Sequence, residues 1–412
     1  MYQRVVQRGI EFIKRLRSHV RVFVEPAQYA AMLSRARARE AVGSPPPIRL
    51  LLISDNVTYG SEQQFAPIHR WAGSLCSRLG VTVRCARLER AQRWPPAAFE
   101  QFDGVGLKMT WQTPDAQAIE TASHFHRNLT RSGIPFAYFD GDDDLTIQWP
   151  RVASLVCLHV KKHVFAERAC YMRGYVGKTN LTDMVASTYG WSFADDPIPK
   201  TDPLPREFVG KIHVGWNIAL DDKIFRLVRR MERRPPLAKD TDVVCRASVP
   251  DDWIRPLREQ LLARLVTMGR RFNVLAPSQR VSQKQYTLEM LRSRICVSPF
   301  GYGEICWRDF EAITSGCLLV KPDMSHIETR PNLFIPGQTY VPVQWDYADL
   351  EETCARYLSD DAARNRIVNE AQRTLAAASS VDWFVAVFEE LLRAWLREGL
   401  SRRVPAESEG AK

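Results

Sequence analysis

One stretch of the sequence, residues 294–323, restricts the fold more than any other. It reads RICVSPFGYGEICWRDFEAITSGCLLVKPD: a short apolar run, two glycines, a helical segment, a third glycine and a second apolar run. Gly301 and Gly303 allow a tight bend, and Gly316 is placed to end the helix. This order predicts a strand, a glycine loop, a helix and a second strand, the βαβ unit of a parallel sheet.

The predicted helix, about 304–315, carries an apolar stripe and a charged stripe. In both stripes the residues recur at i, i+4 and i+7. The apolar stripe, on the core side, consists of Cys306, Phe310 and Ile313. The charged stripe, on the other side, consists of Glu304, Arg308 and Glu311. The charged stripe begins at the glycine-rich end, where the N–H groups of a helix favour anions. The combination suits a nucleotide-sugar, with a guanidinium for the diphosphate and carboxylates for sugar hydroxyls. An ordinary buried βαβ unit with an ion-paired helix face would give the same pattern.

The run Arg-Asp-Phe-Glu-Ala at 308–312, followed by Gly-Cys-Leu-Leu at 316–319, resembles the donor-binding signature of GT-B glycosyltransferases. The nearest resemblance is to bacterial family-1-like and exostosin-like C-terminal domains. It implies an α/β GT-B fold, in which two Rossmann-like domains face an interdomain cleft. It also implies that Arg308 contacts the donor diphosphate and that Glu311 contacts the ribose or sugar hydroxyls. Many retaining members have seven residues between two glutamates, whereas six separate Glu304 from Glu311, which leaves retention or inversion of the anomeric carbon open.

Chain length and proline-rich stretches predict the domain organisation. A chain of 412 residues suggests two or three domains. Prolines at 45–47 and within 195–210 are typical of linkers. We therefore predict four parts: a basic N-terminal helical segment at 1–43, a Rossmann-like acceptor domain at 44–208, a Rossmann-like nucleotide-sugar donor domain at 209–380, and a crossing helix with a tail at 381–412.

An acidic run, Asp-Gly-Asp-Asp-Asp at 140–144, follows the predicted strand 134–139. Such a cluster can hold a divalent metal, supply a general base on the acceptor side, or form an acidic turn that caps the next element. We predict no metal site, because the resemblance implies that cationic side chains and helix ends handle the diphosphate. Asp140 is a candidate catalytic residue, and we expect the acceptor near Asp55 and the acidic run.

Two basic residues in the second half follow predicted strands. Arg246 and Lys321 either face the donor diphosphate or are ordinary surface and structural residues. We take Arg246, with Arg308 and Glu304, as a catalytic candidate. Lys321, Gly301 and Gly303 are donor-binding candidates beside Arg308 and Glu311.

Composition excludes several classes of protein. The nine cysteines are odd in number and scattered, which indicates a reducing compartment rather than a disulfide framework. The net charge of +10 permits binding to phosphates, but no nucleic-acid module is recognisable, and we predict no nucleic-acid partner.

No apolar run is long enough to span a membrane or to form a signal peptide, so we predict a cytoplasmic protein. The basic amphipathic segment 1–24 can either lie on an anionic membrane surface, on the inner face, or pack on the protein's own surface.

The sequence therefore predicts a glycosyltransferase that moves a sugar from a nucleotide-diphosphate sugar to an acceptor hydroxyl. It needs no cofactor besides this donor. The acceptor would be a glycan or a lipid-linked molecule, and the resemblance alone suggests bacterial surface polysaccharide or lipopolysaccharide assembly. Two alternatives stay open: a non-catalytic nucleotide-sugar-binding protein and a GT-B-like nucleotide-sugar epimerase.

Overall fold

The computed structural model describes residues 29–34, 46–55, 63–235, 237–277 and 279–400, with the backbone alone for 397–400. The predicted basic segment at 1–24 lies outside these residues, as do residues 56–62. Residues 29–34 are helical, and Met32 packs against Cys76 of the first domain.

The strands form two parallel sheets and two small antiparallel pairs. In chain order the strands are β1 (Ile48–Ser54), β2 (Val81–Arg87), β3 (Gly104–Lys108), β4 (Phe136–Asp140), β5 (Leu158–Lys161), β6 (His163–Phe165), β7 (Tyr175–Val176), β8 (Lys200–Thr201), β9 (Ile212–Val214), β10 (Thr241–Val244), β11 (Val274–Leu275), β12 (Ser293–Val297), β13 (Leu318–Pro322), β14 (Ile327–Thr329) and β15 (Val341–Val343). The first sheet has the order β2-β1-β3-β4-β5-β9, and the second has the order β11-β10-β12-β13-β15.

Helices connect the strands and cover the sheets. Those of the first domain are Ala66–Arg70, Ala72–Leu79, Leu88–Ala91, Asp115–Arg131, Pro150–Leu155, Asn180–Tyr189 and Arg206–Val209, with short 3-10 turns at Pro96–Ala98 and Arg168–Met172. Those that follow are the 3-10 turn Ile218–Leu220 and the helices Asp222–Met231, Arg255–Met268, Gln283–Leu291, Trp307–Thr314, Leu350–Ser359, Asp361–Ala378 and Val381–Leu400. Parallel strands alternating with helices make each domain Rossmann-like, which confirms the predicted α/β fold class.

The first sheet extends beyond the predicted domain boundary at residue 208. β9 pairs in parallel with β5, and Val160 faces His213 in this register. The last strand of the first sheet therefore falls within the segment that we assigned to the second domain. The proline-rich stretch before it contains β8, which pairs with β7, and the short helix Arg206–Val209.

The second sheet contains the motif unit of the sequence. β12 and β13 pair in parallel, and the motif helix Trp307–Thr314 connects them. Gly316 has a φ of 71°, a left-handed conformation that glycine adopts without strain. The predicted strand, glycine loop, helix and strand are all present, but the helix begins at Trp307 and not at Glu304.

Two elements join the domains. The crossing helix Val381–Leu400 packs Phe384, Phe388 and Trp395 into the core of the first domain, and the Trp395 ring lies 5.5 Å from that of Phe139. β14, which follows the second sheet's β13, pairs antiparallel with β6 of the first domain. The two domains therefore contact each other through a helix and through a strand ladder.

None of the described helices combines the length and the apolar composition that crossing a bilayer would require.

Candidate active site

The carboxyl ends of strands from both sheets meet at the domain boundary. The acidic turn, residues 140–144, follows β4, and the glycine loop, residues 298–306, follows β12. A Cβ atom on Gly303 would lie 1.9 Å from the carbonyl oxygen of Asp143, so only glycine allows this approach. Ligands of parallel α/β sheets bind outside the carboxyl ends of strands, and this boundary is therefore the candidate active site.

A buried polar cluster fixes the start of the motif helix. Cys306 is the N-cap residue, and its backbone N–H donates to Asp309 Oδ2 over 2.8 Å. Asp309 is fully buried, and Lys321 Nζ lies 3.2 Å from its other oxygen. A fully buried ammonium that is paired with Asp309 anchors the start of the helix, and a donor-binding role for Lys321 stays a prediction.

Arg308 lies one position before this buried aspartate and has weak partners. Its Nη1 lies 3.4 Å from Ser298 Oγ and 3.4 Å from the carbonyl oxygen of Pro299. Its Nε is buried without a hydrogen-bond partner. Within the described part of the chain, no carboxylate forms an ion pair with Arg308. The half-buried guanidinium can therefore still accept an anionic ligand.

A second arginine that the sequence analysis missed lies close to Arg308. Arg258, on the helix Arg255–Met268, is only 7% exposed, and its Nε and Nη1 atoms have no partner. Burial lowers the pKa of Arg258, and the positive charge of Arg308 lowers it further. The signal was available in the sequence, since Arg258 continues the apolar stripe of Ile254, Leu261 and Leu265. Two neighbouring cations without a carboxylate partner, one buried and one half-buried, are an unfavourable arrangement that an anionic ligand such as a diphosphate would relieve.

Arg246 differs from this pair. Its guanidinium binds Glu289 through Nε and through Nη2, the latter over 2.7 Å, and Nη1 donates to the carbonyl oxygen of Gln279 over 2.8 Å. The Arg246 hydrogen bond holds the pKa of Glu289 below its usual range. A bidentate carboxylate already occupies the donors of Arg246, which does not favour a contact with the donor diphosphate, and its catalytic role stays a prediction.

Glu311 lies on the motif helix and is held from two sides. Lys223 Nζ donates to Oε1 over 2.6 Å, and the Tyr286 hydroxyl donates to Oε2 over 2.8 Å. A carboxylate has about four lone-pair sites. Glu311 can therefore accept a further hydroxyl while these two donors fix its orientation.

Glu304 lies before the helix and reaches the first domain. It is fully buried, and its Oε1 accepts from Asn180 Nδ2 over 2.8 Å and lies 3.5 Å from His326 Nε2. Burial alone would raise the pKa of Glu304, but His326, His163 and Asn180 together lower it. Its second oxygen, Oε2, is buried without a partner. Glu304 is therefore an ionised carboxylate with one unoccupied oxygen, at the contact between the domains.

Lysines neutralise most of the acidic turn. Asp143 accepts from Lys162 over 2.7 Å and Asp144 from Lys178 over 2.8 Å. Within the residues that the structure describes, no three histidine, cysteine or acidic side chains are grouped so that they could hold a metal ion. These ion pairs offset part of the negative charge of the turn.

Asp140 is the most restrained of these carboxylates. Lys161 Nζ lies 2.9 Å from its Oδ2, and His159 Nε2 lies 3.3 Å from the same oxygen. Burial alone would raise the pKa of Asp140, but Lys161 and His159 hold it far below its usual range. A carboxylate whose pKa is held this low is a poor proton acceptor, which does not favour a base role, and the catalytic role of Asp140 stays a prediction.

Comparisons with known proteins agree with this architecture. Residues 248–389 match a family model described as "Glycosyl transferase-like". No curated protein matches the sequence.

Several solved structures share the chain path at low identity. The lipopolysaccharide outer core galactosyltransferase WaaB, in its apo form, is 11% identical with a TM-score of 0.46, and the match covers 85% of this chain and 100% of that one. Anabaena HepE in complex with UDP is 9% identical with a TM-score of 0.44, over 84% and 100% of the two chains. A glycosyltransferase from Rickettsia africae is 8% identical with a TM-score of 0.44, over 86% and 100%. The chain thus has two parallel sheets of Rossmann-like topology, and residues 248–389, which include most of the second sheet, match the glycosyl transferase-like family.

Proposed function

We propose that this protein transfers a glycosyl group from a nucleotide-diphosphate sugar to an acceptor hydroxyl. The single observation that carries this proposal is the pair of incompletely bonded guanidinium groups of Arg258, which is buried, and of Arg308, which is half-buried. The family match over 248–389 supports the same reaction class, since it includes both arginines.

The arginine pair would act mainly on the leaving group. When the bond between the anomeric carbon and the phosphate oxygen breaks, negative charge accumulates on the diphosphate. Two fixed guanidinium groups in a poorly hydrated site stabilise that charge without reorganisation. Glu311, oriented by Lys223 and Tyr286, would accept a hydroxyl of the donor. The proposed reaction uses no cofactor besides the donor substrate.

Donor binding tests the proposal directly. A thermal-shift screen with UDP-, GDP-, ADP- and dTDP-sugars should reveal a ligand, since binding to the native state raises its stability. Isothermal titration calorimetry then measures the Kd of that ligand for the wild type, for Arg258→Met and for Arg308→Met. Each variant loses a charge-assisted contact of about 1.5–3 kcal/mol, so we expect a roughly 10- to 100-fold higher Kd.

Arg264→Ala is the matched control. Arg264 lies on the same helix as Arg258 but is exposed, and its removal should change Kd less than twofold. Wild-type affinity in both methionine variants would refute the arginine site. Tight nucleotide binding without release of nucleoside diphosphate would indicate a binding protein, and an altered sugar formed without an acceptor would indicate an epimerase.

We further propose a cytoplasmic enzyme that acts on a glycan or lipid-linked acceptor in bacterial surface polysaccharide or lipopolysaccharide assembly. This rests on the motif resemblance and on the basic composition of residues 1–24. Flotation with anionic liposomes, with and without residues 1–42, tests the membrane contact. Equal flotation of the two proteins would remove it.

A further inference from the structure

An exposed tryptophan lies at the carboxyl edge of the first sheet, beside the acidic turn. Trp111 follows β3 and is 47% exposed, although most large apolar side chains in the described chain are buried. Lys178 Nζ lies 4.9 Å from the centre of its ring. An exposed aromatic ring beside polar groups is a typical platform for a ligand with both apolar and polar faces.

Two polar atoms next to this ring lack partners. Thr110 is only 5% exposed, and its Oγ1 makes no hydrogen bond. Gln148 donates from Nε2 to the carbonyl oxygen of Trp111 over 3.0 Å, while its own Oε1 is buried without a partner. Buried polar groups in proteins are normally bonded. A hydroxyl donor and a carbonyl acceptor beside an aromatic ring match a saccharide, which presents C–H groups on one face and hydroxyls at its edge.

Asp142 shares a lysine with this platform, and its neighbour in sequence lies at the glycine loop. Its Oδ2 is 3.2 Å from Lys178 Nζ, the same ammonium that covers Trp111. The next residue, Asp143, contacts Gly303 of the second domain. Asp142 therefore connects the aromatic platform of the first domain with the proposed donor loop of the second.

We propose that the acceptor is a saccharide that stacks on Trp111, and that Asp142 is the general base that takes the proton from its attacking hydroxyl. This inference rests on the proposed glycosyl transfer and names its acceptor class. In the reaction, the acceptor oxygen forms a bond to the anomeric carbon as its proton moves to an Asp142 carboxylate oxygen. The bond from the anomeric carbon to the phosphate oxygen breaks, and its electron pair leaves with the diphosphate. Such a direct displacement inverts the anomeric carbon.

The surroundings of Asp142 suit this task. The pKa of Asp142 is raised to about 6, mainly because the carboxylate is buried. The negative charges of Asp140 and Asp144 also raise it, while Lys178 and Lys161 lower it. The carboxylate form that can accept a proton therefore predominates above about pH 6. A base with a pKa near the working pH transfers protons efficiently.

Binding of simple saccharides tests the platform. Saturation-transfer NMR with maltose, lactose, cellobiose and chitobiose, in the presence of saturating UDP, should show binding of at least one disaccharide. Trp111→Ala should raise its Kd about tenfold, because the ring on which the saccharide stacks is removed, and should leave the Kd of UDP unchanged. Leu237→Ala, at a side chain that is 48% exposed on the second domain, is the control and should change neither.

Turnover of the best nucleotide-sugar, with the bound disaccharide as acceptor, tests the base. Asp142→Asn should lower kcat at least 100-fold with an unchanged donor Kd. The wild-type rate should decrease at pH values below about 6, where Asp142 becomes protonated. Lys178→Gln should shift this acidic limb of the pH–rate profile to higher pH, because it removes a cation that lowers the pKa of Asp142.

Each contrary outcome is distinct from a failure of the proposed function. Absence of disaccharide binding, or equal binding to Trp111→Ala, would overturn the platform. An unchanged kcat in Asp142→Asn, or a product with retained anomeric configuration, would overturn the base. Loss of donor binding in wild-type protein would instead refute the glycosyl transfer itself.

Discussion

The contact between Gly303 and the acidic turn makes the replacement of one glycine highly informative. In Gly303→Ala the new Cβ would start 1.9 Å from the carbonyl oxygen of Asp143 and 2.6 Å from its carbonyl carbon. An ordinary contact needs 3.4 Å, so the two backbones must separate by the difference, 1.5 Å. Both atoms that are met belong to backbone, and no side-chain rotation relieves the clash.

This displacement acts on stability and on catalysis. Overpacking of this kind costs about 1–3 kcal/mol, and a domain of 150–250 residues loses about 2–4 °C in Tm for each kcal/mol. The shift also separates the proposed donor loop from the acceptor side. Since a misplacement of about 1 Å can cost roughly 100-fold in rate, we expect kcat for glycosyl transfer to fall by about that factor while the donor Kd changes much less.

Calorimetry and steady-state kinetics of Gly303→Ala measure these two effects. The control is Gly73→Ala, because a Cβ there meets nothing within 4 Å, and alanine within the helix Ala72–Leu79 should stabilise it by about 0.5–1 kcal/mol. The reasoning is refuted if Gly303→Ala retains both the Tm and the kcat of the wild type, since the domains would then not be in contact at this glycine.

Three other variants test the assignment of individual charges. Arg258→Met removes a buried cation without a carboxylate partner, so the ligand-free protein should gain about 0.5–2 kcal/mol in its free energy of unfolding, measured by denaturant titration. Arg246→Ala should instead cost about 1.5–3 kcal/mol because it leaves Glu289 unpaired, should be partly compensated by Glu289→Ala, and should change donor Kd less than threefold. The folded protein lowers the pKa of Glu304 from 4.5, so the ionised carboxylate stabilises the fold above pH 4.5 and this stabilisation is lost as the pH falls. The difference in unfolding free energy between the wild type and Glu304→Gln should therefore be constant from about pH 8 to 5 and should shrink below pH 4.5.

The local part of the fold could be predicted from sequence. The βαβ unit follows from glycines and apolar spacing within one short stretch, and these signals act over a few residues. The start of the motif helix was placed too early because Asp309 bonds back to the N–H of Cys306. That capping box fixes Cys306 as the N-cap, so Glu304 is not on the helix and reaches Asn180 instead.

The state of each charged side chain could not be predicted, because it depends on partners that are distant in sequence. Arg246 is bound by a residue 43 positions away, and Asp140 by Lys161, 21 positions away. Neither spacing leaves a local pattern. Arg258 did leave one, an arginine within an apolar helical stripe, and a search for charges in core stripes would have found it.

Pairing separates the charges that hold this fold from those that are available to a substrate. Four aspartates of the acidic turn lie opposite three lysines, Lys161, Lys162 and Lys178. Without these lysines, the turn would repel a diphosphate at the adjoining glycine loop, since like charges at close range in a poorly hydrated site repel strongly. With them, three of the four negative charges of the turn are offset, and the facing edge carries the guanidinium groups of Arg258 and Arg308. The lysines would therefore allow the proposed anionic donor to bind beside an acidic turn.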